Sequence, residues 1–157
     1  AATIITFFQH NQEFWDVLWE KLQLAIPHMT EKDLNRTING LMKSPLEPKS
    51  DITATCAQLF RPNLEKFSVS GLSRLAFMYS HLDPAVMHLV LAPVEKLLLG
   101  KETFQASPED LENLVCAYGR YRKGSKLLHN MLEYLVRTHI GTLSRKSTAL
   151  ILSFLSR

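Results

Sequence analysis

The stretch FSVSGLSRLAFMYSHL, Phe67–Leu82, decides how the chain is read. Ser68 can accept from the backbone N–H groups that a first helical turn leaves bare, which marks it as a helix cap. Leu72, Leu75, Ala76 and Tyr79 then follow at cap +4, +7, +8 and +11, one face of a 3.6-residue helix. Such a helix suits a bundle and a repeating array equally well, and the rest of the sequence separates the two.

Three further segments align on a Ser or Thr: TEKDLNRTINGLM from Thr30, SPEDLENLVCAYG from Ser107 and SRKSTALILSFLS from Ser144. Taken with Ser68, the caps stand 38, 39 and 37 residues apart, too regular for a casual bundle. Asp33 and Asp110 sit three residues after their caps, where a carboxylate favours the positive end of a helix. Pro108 occupies the position where a missing N–H costs nothing. The apolar columns run Leu34, Leu72, Leu111, Thr148; Thr37, Leu75, Leu114, Ile151; Ile38, Ala76, Val115, Leu152; and Leu41, Tyr79, Tyr118, Leu155. The opening IITFFQHN places Ile4, Ile5 and Phe8 in the last three of these columns.

Counting back from each cap by 16, 12, 8 and 4 recovers a second helix per unit. It carries Phe14, Leu18, Leu22 and Ile26; Ile52, Cys56, Phe60 and Leu64; and Leu128, Leu132, Val136 and Ile140. In the third unit the pattern holds after a one-residue shift, as Val90, Val94 and Leu98, which predicts a longer turn at GKETFQA. Turn chemistry separates the helices at SPLEPKSD, at Asp83-Pro84 as cap and first helical residue, and at RKGSK with Gly124. The expected fold is all-α, an α-solenoid of stacked helix-turn-helix repeats of about 38 residues. Its units are 1–29, 30–67, 68–106, 107–143 and a partial 144–157. Each repeat needs its neighbour to bury its stripe. The sequence begins and stops inside a repeat, so the expectation is an excerpt from a longer array.

With 157 residues and 46% hydrophobic content the chain can build a core without staples. Cys56 and Cys116 fall in apolar helical patterns rather than paired motifs, and are expected as buried free thiols. The longest apolar run, AVMHLVLAPVEKLLL, is broken by His88, Pro93, Glu95 and Lys96 and is shorter than the roughly 20 residues that cross a bilayer. The opening residues do not follow the order of a secretory signal. The net charge of +3 is unevenly laid out: residues 118–157 hold eight Lys/Arg against one acid, Glu133, while the remainder is net negative. A basic end of this kind suits a polyanion or an acidic partner.

The cap-anchored line S-x-x-x-L-x-x-L-x-x-x-Y, as in SVSGLSRLAFMYS and SPEDLENLVCAYG, resembles the octotricopeptide and heptatricopeptide repeats of mitochondria and chloroplasts. Those arrays often end in a RAP domain, which is not in this sequence. The resemblance implies mitochondrial RNA binding within a ribonucleoprotein, in a ribosome or in RNA processing or editing, with other protein subunits as partners. Thr37 and Thr148 depart from the pattern in the first full and the last unit. HEAT and armadillo repeats fit the helix lengths as well, and imply a protein-binding scaffold.

Two groups of residues are candidates for touching RNA. The first lies one turn from the buried stripe: Arg36, Arg74 and Asn113 at cap +6, in line with Leu150, and Asn39 and Phe77 at cap +9, in line with Cys116 and Ser153. Arg and Asn can hydrogen-bond base edges or phosphates, and Phe77 can stack; the same residues also read as solvated helix positions, with Phe77 in the core. The second is YGRYRKGSK, where Arg120, Tyr121, Arg122, Lys123 and Lys126 interleave basic and aromatic side chains, extended by Arg137, Arg145 and Lys146. That mixture tracks phosphates and stacks bases, and it equally suits the negative end of a helix. No H-E-x-x-H, Gly-rich phosphate loop or G-x-S-x-G elbow occurs. Glu109, Asp110 and Glu112 suit a helix N-terminus, and Trp15 and Trp19 suit a core. The expectation is a protein without catalysis, cofactor, metal or membrane span.

Overall fold

The computed structural model describes residues 12–44, 46–82, 84–101, 104–119 and 123–155. Among them the regular structure is helical, and the chain divides into two compact units, 1–65 and 66–157. The division falls beside the expected repeat boundary at 67/68. Ile4, Ile5, Phe8 and Asp83 lie outside the described residues, as do part of the GKETFQA turn and the side chain of Leu155.

In the first unit, α1 (Gln12–Ala25) runs into a 3-10 turn (Ile26–His28), followed by α2 (Glu31–Lys43) and α3 (Lys49–Phe60). The Thr30 hydroxyl accepts from the Asp33 N–H and starts α2 at the predicted residue. The expected continuation of the second-helix pattern through Ile26 and Leu64 is met in burial but not in geometry. Both residues are buried, yet each lies in a 3-10 segment, the latter spanning Arg61–Lys66. Pro27 and Pro62 lie in these turns, and a proline has no N–H to extend the α ladder. Trp15 is buried and Trp19 half-buried, so the pair packs inward. The rest of this core is Leu34, Ile38 and Leu41 of α2 and Leu46 of the following turn with Ile52, Cys56, Ala57 and Phe60 of α3.

The second unit contains α4 (Val69–Tyr79), α5 (Pro84–Leu99), α6 (Pro108–Gly119), α7 (Lys126–His139) and α8 (Arg145–Leu155). Three of these begin one residue after a predicted cap. Ser68 accepts from Gly71 N–H at 3.0 Å, Ser107 from Asp110 N–H at 3.2 Å and Ser144 from Ser147 N–H at 3.0 Å. Leu72, Leu75, Ala76 and Tyr79 on α4 and Leu111, Leu114, Val115 and Tyr118 on α6 are all buried, as their columns require. Val90, Val94 and Leu98 confirm the shifted register of α5. Each large apolar side chain so buried stabilises the fold by roughly 1.5–3 kcal/mol.

Packing in this unit runs α4 to α6 and α6 to α8, with α5 against α4 and α7 against α6. The backbones of α4 and α6 approach each other far more extensively than those of α5 and α7. Two polar links repeat along the tighter row. The Ser73 hydroxyl of α4 donates to Asp110 Oδ1 of α6 at 3.0 Å, and the Ser147 hydroxyl of α8 donates to Glu112 of α6. Each link joins cap +5 of one helix to cap +3 of the next. Some columns weaken at the end of the chain: Thr148 is half-buried, while Leu152 and Ile140 are 54% and 55% exposed, against expectation.

Candidate nucleic-acid interface

Tyr118 and Gly124 stand at the two described ends of the α6–α7 connection. Tyr118 is fully buried and its hydroxyl donates to the Leu91 carbonyl at 2.8 Å, tying the end of α6 to the middle of α5. Burial, and then the negative charge of Glu95, push its phenol above the ordinary tyrosine range. The Lys123 N–H returns to the Tyr118 carbonyl at 2.9 Å, and Gly124 follows at φ +91°. A Cβ there would stand 2.9 Å from Leu128 Cδ2 and 3.1 Å from Tyr118 Cδ1, so position 124 requires glycine for conformation and for space. Ser125 then caps α7 by accepting from Leu128 N–H, while its own N–H donates to Glu95 Oε1 at 2.7 Å. His129 Nε2 lies 2.7 Å from the Lys123 carbonyl and holds the turn from the other side.

On this framework Lys123 and Lys126 are exposed at the start of α7. Arg120, Tyr121 and Arg122, predicted to join them, lie outside the described residues. Arg137 is exposed about three turns along α7 and pairs with Glu133, one helical turn before it. Arg145 is exposed at the first position of α8, and the side chain of Lys146 lies outside what is described.

The cap +6 and +9 candidates divide between the two units. Arg36 and Asn39 are exposed, three residues apart on one side of α2. Arg74 is exposed on α4 and pairs with Glu109 of α6 at 3.3 Å, and half-buried Asn113 lies one turn beyond Glu109 on α6. With side chains 53% and 67% exposed the pair is worth about 0–1 kcal/mol, so Arg74 is readily exchanged to a phosphate. Phe77 is half-buried and packs edge-on to His81 at 4.7 Å between ring centroids. Cys116 is buried, as the reading of both cysteines as buried free thiols requires, and burial pushes the Cys56 thiol up to about 12.

Glu109, Asp110 and Glu112 each bond to a side chain of a neighbouring helix, Arg74, Ser73 and Ser147 in turn. Burial opposes ionisation of Asp110. The Ser107 hydroxyl and N–H, joined by the Ser70 and Ser73 hydroxyls, outweigh it and hold the carboxyl below its ordinary range. The described residues contain no group of three or more His, Cys, Asp or Glu placed to hold a metal, and no helix long and apolar enough to cross a membrane.

One feature beside the basic turn escapes the repeat columns. A cavity of about 230 Å³ opens between α5 and the α6–α7 turn. Met87, Leu91 and Ala92 give it an apolar wall, Tyr118 and Gly124 close it, and His88, Glu95 and Lys123 supply its polar groups. Glu95 and His88 are visible in the sequence as interruptions of the longest apolar run. Only the fold brings them to Gly124. No family model, curated protein or solved structure matches this chain.

Proposed function

We propose that this is a non-catalytic RNA-binding protein of helical-repeat type, acting within a mitochondrial ribonucleoprotein alongside other protein subunits. The observation that carries the reading is the concentration of eight Lys/Arg against one acid in residues 118–157, with Lys123 and Lys126 exposed beside the start of α7, where the Lys123 and Ser125 N–H groups bond to Tyr118 and Glu95. A basic edge is what phosphate tracking needs. The repeated cap +5 to cap +3 link along α4, α6 and α8 supports a solenoid of about 38-residue units, in which the first helices form the closer-packed row. The organelle and the assembly follow from the likeness to octotricopeptide and heptatricopeptide lines.

Titration of a labelled single-stranded RNA against the protein tests the reading. The variant R120E/R122E/K123E is expected to bind at least about tenfold more weakly near physiological salt, because three phosphate contacts and their counterion release are lost. Unchanged affinity would remove the basic turn from the interface.

Exposed Leu127 and Tyr134, one heptad apart on α7, support a second reading as a protein-binding scaffold. Recovery of a bound protein with no crosslinkable RNA would favour it.

A further inference from the structure

We propose that the cavity between α5 and the α6–α7 turn takes a single nucleobase, read by Glu95 through an amino group on the base's Watson–Crick edge, with Lys123 on the adjoining phosphate. The proposal rests on the RNA-binding reading and adds to it a base preference.

The cavity's size selects the class of guest. At about 230 Å³ it is smaller than the roughly 300–1,000 Å³ of drug-sized ligand sites, and it suits one ring system rather than a whole nucleotide. Met87, Leu91 and Ala92 offer an apolar face against which a flat ring can lie.

The polar groups select the edge. Ser125 N–H holds Glu95 Oε1 at 2.7 Å, and Oε2 lies 3.6 Å from where a Gly124 Cβ would stand, so both oxygens are placed before any guest arrives. A carboxylate only accepts hydrogen bonds, and the amino group of cytosine is a suitable donor. Uracil of the same size presents one N–H flanked by two carbonyl oxygens, which a carboxylate repels. A cationic side chain would also satisfy Glu95, but it would have to enter beside Lys123 and within the most basic part of the chain. A nucleotide brings a neutral donor for Glu95 and an anion for Lys123 together.

The test uses fluorescence anisotropy of labelled twelve-residue oligocytidine and oligouridine with the intact protein, E95Q and A92F. Gln keeps an acceptor for Ser125 N–H but replaces one carboxylate oxygen with a donor; Phe at 92 fills the cavity from its exposed wall. The intact protein is expected to favour oligocytidine by roughly fivefold to a hundredfold. Both variants should bring the ratio of oligocytidine to oligouridine affinity, taken within each protein, close to one. Equal affinity of the intact protein for the two oligomers, or a preference that survives both variants, overturns the pocket and leaves RNA binding standing. Failure to bind either oligomer overturns both. An arginine-containing peptide whose binding is lost in E95Q, with no change in either RNA, would assign the cavity to a cationic side chain instead.

Discussion

Asp110 shows how one carboxylate can be both a cap and a joint. It accepts from the Ser107 N–H at 3.0 Å within its own first turn and from Ser73 on the neighbouring helix. Its folded pKa is lower than the unfolded value of about 3.9, so its contribution is complete above that value and is lost as pH falls through the folded pKa. D110N is therefore expected to destabilise the protein by about 1–3 kcal/mol near neutral pH. It should also flatten the fall in stability below about pH 4, read as urea midpoints across a pH series. Gly124 makes a second residue-level prediction. Because G124A meets both a positive φ and two close side chains, it should cost about 2 kcal/mol or more and lower the melting temperature. The caps were legible because a Ser or Thr ahead of an apolar stripe has one physical use. Gly124 was legible as a turn, but not as the point where α5, α6 and α7 meet, since that requires Glu95 and Leu128 to be placed in space.

At the scale of helices, the cap-anchored columns forecast which faces meet on α2, α4, α5 and α6, since burial there follows from period alone. They overreached at Leu152 and Ile140, because a column describes a helix's face and not whether anything covers it. The polar links were not legible. Ser73, Asp110, Glu112 and Ser147 lie off the apolar stripe, and their pairing depends on the axial offset between stacked helices. That offset is now a measurable quantity. A double-mutant cycle of S73A and D110N should give a coupling of about 0.5–3 kcal/mol in chemical denaturation, and S147A with E112Q should behave alike. Pairing S73A with E112Q should give additive effects, since those side chains do not bond to one another.

For the whole chain, the uneven charge is the feature most directly readable from sequence, and it sets the expected solution behaviour. If Arg120, Arg122, Lys123 and Lys126 each contact a phosphate, the logarithm of single-stranded RNA affinity should fall against the logarithm of salt with a slope of about −3. Reversing three of the four should leave a slope of about −1 or less. The candidate readers of the first helices were less legible. Arg74 lies within reach of Glu109 on the next helix and Asn113 is half-buried, and neither fact follows from a cap offset.

The two polar links differ in direction, and the difference acts as an address. Helix α6 carries an acid toward each neighbour, Asp110 facing α4 and Glu112 facing α8, and both neighbours answer with serine. Two copies of α6 set side by side would bring Glu112 against Asp110, a like-charge meeting with no donor between them. The order of the helices is thus written twice, once in the connecting turns and again in which surface donates the hydrogen bond and which accepts it. A second α6 cannot take the place of α4 or α8 beside α6 without breaking that second script.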